Sequence, residues 1–172
     1  MRILKLLPVI IIALTISISG FSQNADPDNH LALGDELPDF EYQTADGKTL
    51  KSEDLFGKVV LINFYVSWCG SCKKELPFVE SDLYKKYKDN EDFCLLVIAR
   101  QEGWDKINEF KKSSELDLPY YPDPKRDIYN LFAGKYIPRN YLFDKQGRLV
   151  LFSKDYKVEE FEELKKEIID LL

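Results

Sequence analysis

One histidine, His30, and three cysteines are the only residues of the types that build a structural zinc site through nitrogen or thiolate in 172 residues. A structural zinc site gathers four such ligands, and His30 lies far along the chain from any cysteine. Three cysteines cannot staple a small fold through a framework of paired bridges either. Basic residues are in the minority. The 24 Lys and Arg against 30 Asp and Glu give a formal charge of −6, which argues against a general grip on nucleic acid. No internal repeat or low-complexity block is found. What remains is an ordinary globular balance, 45% hydrophobic and 31% charged, in a length that suits one domain with its own core.

The one long apolar run stands at the start. Arg2 and Lys5 open the chain with no acid beside them. Residues 6–18 are then almost wholly apolar, broken by Pro8 and Thr15, and Ser17, Ser19, Gly20 and Ser22 follow. This charged, apolar, small-residue order is that of a secretory signal, read here over residues 1–22 with cleavage after Ser22. An uncleaved membrane anchor is the alternative, although the run is short against the roughly 20 residues a span needs. No cysteine sits at the end of the leader, so a lipid-modified N-terminus is not indicated. Losing residues 1–22 removes two basic residues and no acid, leaving a formal charge of −8. Residues 23–33 (QNADPDNHLAL) are polar and irregular and read as a tether, with the domain proper over residues 34–172.

Within the domain, residues 39–44 suit a short edge strand that turns at Asp46 and Gly47, and residues 52–56 suit one helical turn. Residues 58–66 (KVVLINFYV) form a continuous β-branched apolar run, as a strand buried on both faces requires. A helix over residues 72–88 follows, because Cys72, Leu76, Val79, Leu83 and Tyr87 fall on one face. Pro77 should kink it. Residues 93–99 make a second strand, and residues 104–115 and 127–133 helices, the latter after a Pro-rich stretch (LPYYPDP). Residues 141–143 and 149–152 are strands joined by a turn at 145–148. A last helix from Val158 buries Val158, Phe161, Leu164, Ile168 and Leu171. The order predicts an α/β fold, a mixed central sheet flanked by helices on both faces. Chemistry in such sheets sits beyond the carboxyl ends of the parallel strands, where residues 67–72 fall.

Trp68-Cys69-Gly70-Ser71-Cys72 therefore joins a buried strand to a helix start. Unpaired amides and the positive dipole end favour an anion there, so a thiol should lose its proton more readily than a free one. Cys69, the outer residue, suits the attacking thiolate. Cys72, in phase with the buried stripe, should act second, resolving the mixed disulfide and releasing the reduced partner. The alternative is a structural bridge on a redox-silent binding domain, but a loop this small gains little from closure. Cys94 reads as a small buried hydrophobe, with a third redox role as the alternative. The loop at 100–104 (RQEGW) emerges at the same rim, either to select partners or simply solvated. Tyr120, Tyr121, Tyr129 and Phe132 read as core packing.

The segment VVLINFYVSWCGSCKKELP resembles the active-site segment of the thioredoxin superfamily, and more closely its exported TlpA/ResA-like branch. IPRNYLFDKQGRLV, residues 137–150, resembles the family's second signature, and together the likeness spans residues 34–172. It implies a thioredoxin-like fold, thiol–disulfide exchange and no cofactor beyond the cysteines. It also implies that Pro138 is a cis-proline beside the disulfide, against the alternative of a trans proline opening a strand. The Ile137 peptide would then bond an extended substrate segment. Trp68 would cap the site and shield the thiolate, or else be a core aromatic. Asn63 stands where cytosolic thioredoxin usually has a buried Asp, and Asn exchanges no proton at ordinary pH. Glu75 matches a Glu of the exported branch and could supply that base, or be a solvated first-turn carboxylate favoured by the dipole.

The implied partners are disulfide-containing exported proteins, apocytochromes among them, and a membrane thiol-transfer electron donor. The chain is expected to be a periplasmic monomer, or membrane-tethered if the leader stays. Two rivals share the fold. A thiol peroxidase needs a Thr before the attacking Cys and an Arg close by, a pattern missing from Val66-Ser67-Trp68. A metal chaperone for copper keeps a histidine near the site, where His30 is poorly placed.

Overall fold

The computed structural model describes residues 26–172. The leader read over residues 1–22, and residues 23–25 of the segment read as a tether, lie outside them. No helix among the described residues is long and apolar enough to cross a membrane.

The fold is organised around β3 (Val59–Tyr65), in which all seven residues are buried. Strand side chains alternate between faces. Val59, Leu61 and Tyr65 join one core cluster, and Val60, Ile62 and Phe64 the other. An unbroken apolar run is therefore what this strand needs, since neither face meets water. Before it, β1 (Glu41–Gln43) and β2 (Thr49–Lys51) form an antiparallel hairpin separate from the main sheet, followed by a 3₁₀ turn at Ser52–Leu55.

After β3 comes α1 (Gly70–Phe78), which continues through a π-helical stretch, Val79–Tyr84, into the short α2 (Lys85–Tyr87). Pro77 has no N–H to donate, and directly after it the hydrogen bonding changes to the longer pattern. Then follow β4 (Phe93–Arg100), α3 (Trp104–Ser114), β5 (Tyr120–Asp123) and α4 (Tyr129–Phe132). The chain ends with β6 (Arg139–Phe143), β7 (Leu149–Lys154) and α5 (Val158–Leu171). The five-stranded sheet has the order β5-β4-β3-β6-β7. β3, β4 and β5 run parallel, while β6 and β7 are antiparallel to their neighbours. Side chains of α1, α3 and α5 cover one face. The N-terminal segment, β1 and α4 cover the other.

Two strands escape the sequence pattern. β2 is only three residues long, with Thr49 and Lys51 exposed and only Leu50 half-buried. β5 runs through Pro122 inside the stretch read as irregular, which an edge strand tolerates because its outer N–H groups have no ladder to join. Tyr120, Tyr129 and Phe132 are buried and Tyr121 half-buried, with Phe64 edge-on to Tyr129 at 5.1 Å. Val158 is exposed rather than part of the stripe of α5. Cys94 sits half-buried against the second cluster, where burial pushes its thiol up to about 11.

Residues 26–33, read as tether, lie against the second face. The His30 N–H donates to the Phe132 carbonyl at 2.9 Å and the Gly134 N–H to the Asp28 carbonyl at 2.8 Å. Tyr141 Oη donates to Asn29 Oδ1 at 2.6 Å. The fully buried Arg139 guanidinium meets Asp26 Oδ2 at 2.7 Å. The contacts are polar and irregular, so no apolar periodicity announces them. Removing one partner of a buried pair strands the other charge, at about 3–5 kcal/mol. Asp26→Ala is therefore expected to lower the unfolding free energy by that order in urea titration, and an unchanged midpoint would show that the strap adds nothing to stability.

Candidate active site

β3 ends at Tyr65, and the chain turns through Val66, Ser67 and Trp68 so that Cys69 becomes the N-cap of α1. Cys69 Sγ accepts the N–H of Cys72 at 3.1 Å and lies 3.5 Å from Ser71 Oγ. Cys69 and Cys72 are joined as a disulfide, with Cα atoms 5.3 Å apart. The outer residue keeps 6% of its surface and the inner one none. That asymmetry follows from helical phase, since Cys72, Leu76, Val79 and Leu83 form one buried stripe.

The loop before Cys69 is held from the next strand. Glu102, buried at the end of the loop after β4, accepts the Ser67 N–H at 2.9 Å and the Ser67 hydroxyl at 2.7 Å. Adjacent parallel strands deliver both loops to one rim, a signal that points to the loop at 100–104 but not to Glu102 within it. Trp68 projects from the loop with 70% of its surface exposed, so it is no core aromatic. The Ile137–Pro138 peptide is cis. Pro138 is buried, and Ile137 is half-buried between the two core clusters.

Glu75 sits one helical turn beyond Cys72, on the same inward face, and is 1% exposed. It is not a solvated first-turn carboxylate. Its oxygens accept Asn63 Nδ2–H at 3.0 Å and Asn140 Nδ2–H at 2.7 Å. Asn63 Nδ2 also donates to Asn140 Oδ1 at 2.8 Å, and Asn140 Nδ2 to Ser153 Oγ at 3.2 Å. Asn63 and Asn140 are register partners of β3 and β6, and Asn140 and Ser153 of β6 and β7. A polar row thus crosses three strands beneath α1. Burial pushes the Glu75 carboxyl up to about 7, against the pull of the two amide donors. Asn140 and Ser153 were missed because the strands read at 141–143 and 149–152 each stopped one residue short of them. The period-2 phase of Asn140 with Leu142 would have pointed it toward α1.

Comparison with known proteins bears on what this arrangement does. The profile of the AhpC/TSA family matches residues 33–152. The thiol–disulfide oxidoreductase ResA of Bacillus cereus (strain ZK / E33L) is 31% identical over 120 residues, 70% of this chain and 68% of that protein. The chain belongs to the TlpA/ResA-like branch of the thioredoxin superfamily. Among solved structures, a candidate protein disulfide isomerase from Bacteroides thetaiotaomicron superposes with a TM-score of 0.80 at 39% identity, over 84% of this chain and 92% of that one. A candidate thiol:disulfide interchange protein DsbE from Chlorobium tepidum gives 0.73 at 26% identity, over 82% and 98%. This TlpA/ResA-like protein is a thiol–disulfide oxidoreductase, and its activity requires disulfide-bearing partners. Its sheet and CxxC pair have the form expected from the sequence.

His30 lies elsewhere, with Nδ1 2.9 Å from the Asn130 carbonyl. Among the described residues no three His, Cys, Asp or Glu side chains gather as a metal-holding group.

Proposed function

We propose that the chain reduces disulfides of exported polypeptides, with Cys69 as the attacking thiolate and Cys72 as the resolving thiol. The observation that carries the assignment is Cys69 Sγ at the N-cap, accepting the Cys72 N–H, where a negative sulfur gains from both amide and dipole. In the reduced protein the Cys69 thiolate attacks one sulfur of the substrate disulfide, and the other sulfur leaves as a thiolate. Glu75 then takes the proton of the Cys72 thiol. The Cys72 sulfur bonds to Cys69, breaking the mixed disulfide and releasing the second substrate sulfur. Two electrons pass to the substrate, and the protein is left with the Cys69–Cys72 bridge.

The peptide beside Ile137 and Pro138 binds the extended substrate backbone, and the exposed Trp68 ring covers it from the other side. A buried carboxylate one turn from Cys72 disfavours ionisation of that inner thiol in the reduced state, which supports the reducing direction. The leader over residues 1–22 supports work outside the cytoplasm, as a monomer recharged by a membrane thiol-transfer protein, with no further cofactor. A glutathione redox titration of the purified protein tests the direction. The midpoint is expected at or below about −230 mV, and one near about −120 mV would mark an oxidant instead.

A further inference from the structure

We propose that Arg100 and Arg126 form an anion subsite beside the cis-proline loop, which receives an acidic side chain of the disulfide-bearing polypeptide. This rests on the exchange reading above, which supplies the polypeptide. Four arginines fall within the described residues. Arg139 pairs with Asp26, and Arg148 with Glu36. Arg100 and Arg126 meet no carboxylate among the described residues, although the chain has an excess of acids.

Both guanidiniums lie over the ring of Tyr129, their central carbons 5.1 and 5.0 Å from its centroid. A ring face attracts a cation but accepts little from its N–H donors. The Nε of each arginine is buried without an acceptor. Arg126 Nη2 reaches only the Gly134 carbonyl. Acids in the neighbouring loops are already engaged. The Asp123 carboxylate takes the N–H groups of Ile128 and Tyr129 at 3.2 and 2.9 Å, and Asp28 faces Lys135 at 3.5 Å. The buried Nε atoms are out of reach of a ligand. Both Nη atoms of Arg100 and Nη1 of Arg126 have no partner within the described residues and are not fully buried, so at this half-exposed rim they are left for an acceptor supplied from outside.

The place fits the substrate path. Tyr129 Oη lies within hydrogen-bond reach of the Lys135 carbonyl, at 2.7 Å, and of the Tyr136 carbonyl, which share its one proton, so one ring links the guanidiniums to the residues just before Ile137 and Pro138. Arg100 ends β4, and two residues on Glu102 holds Ser67 in the CxxC loop. The backbone around the pair is also unusual. Gln101, Arg126 and Tyr136 all adopt left-handed φ, at 62°, 66° and 70°. The Asp123 carbonyl fixes the first two, accepting their N–H groups at 2.8 and 3.0 Å. Side chains other than glycine are held in this region only where the surroundings enforce it, and functional loops are where that recurs. A planar fork of donors suits a carboxylate better than any neutral group.

The test uses two disulfide-bonded peptides identical except for Glu or Gln near one cysteine, with bis(2-hydroxyethyl) disulfide as an uncharged reference. The parent is expected to reduce the Glu peptide with kcat/KM about tenfold higher, through KM, with the preference fading as salt rises. Arg100→Gln and Arg126→Gln should each shrink that ratio toward unity, whereas a purely structural role would slow both peptides alike. Equal parent rates for the two peptides would overturn the subsite even if neither variant folds. Failure to reduce the uncharged reference would instead overturn the exchange reading itself.

Discussion

Cys69→Ser is expected to reduce disulfide exchange by at least about 1,000-fold, on the scale seen when an enzyme loses its nucleophile. Cys72→Ser is expected to stop the reaction half-way, with substrate still attached. A serine hydroxyl at position 69 would keep the N-cap bond but cannot open a disulfide at neutral pH. With serine at position 72 the outer sulfur still attacks, yet nothing displaces the substrate from it. Incubation of each variant with a disulfide peptide, followed by intact-mass measurement without reductant, separates the two. Only Cys72→Ser should gain the mass of one peptide strand. A stable adduct on Cys69→Ser would reverse the two roles, and the 6% against zero exposure of the sulfur-bearing residues argues against that.

Glu75→Gln is expected to slow turnover about 100-fold at neutral pH, the lower end of what a positioned proton acceptor contributes. Gln keeps the length, but its single amide oxygen can accept from only one of Asn63 and Asn140, and it accepts no proton. The parent rate should rise with pH through about 7 as the carboxylate appears, and the variant should lose that step. Stability carries an independent mark. The folded carboxyl stays protonated up to about 7, while the unfolded one ionises near 4.5. The folded state therefore binds more protons between these values, and stability falls as pH rises through that window, levelling above it. The rise from 4.5 to about 7 corresponds to roughly 3 kcal/mol. Denaturant titrations of parent and Glu75→Gln should converge at low pH and separate above neutrality, with the variant the more stable. Parallel pH profiles in rate and stability would remove Glu75 from proton transfer.

Much of this architecture is written locally. The run at Val59–Tyr65 and the stripe through Cys72, Leu76, Val79 and Leu83 encode burial by their own periods, so sheet centre, first helix and inner sulfur are legible together. The cis peptide at Ile137–Pro138 is legible only through family likeness, because no local pattern distinguishes it from an ordinary X–Pro bond. What escapes is polar and long-range. Asp26 finds Arg139 across 113 residues, and Glu75 finds Asn140 across 65. Neither partner carries a period that would announce the other. β5 escapes for a different reason, since Pro122 argues against a strand unless the strand is known to be an edge. The Glu102 bond to Ser67 depends on two loops meeting at a rim, which order and strand polarity imply without naming the residue.

Timed alkylation of the reduced protein with iodoacetamide at about pH 6, read by peptide mass, asks directly whether the helix start favours a sulfur anion. Cys69 should be tagged well ahead of both Cys72 and the half-buried Cys94, whose thiol is pushed up to about 11. Slow labelling of Cys69 and Cys72 at matched rates would contradict it.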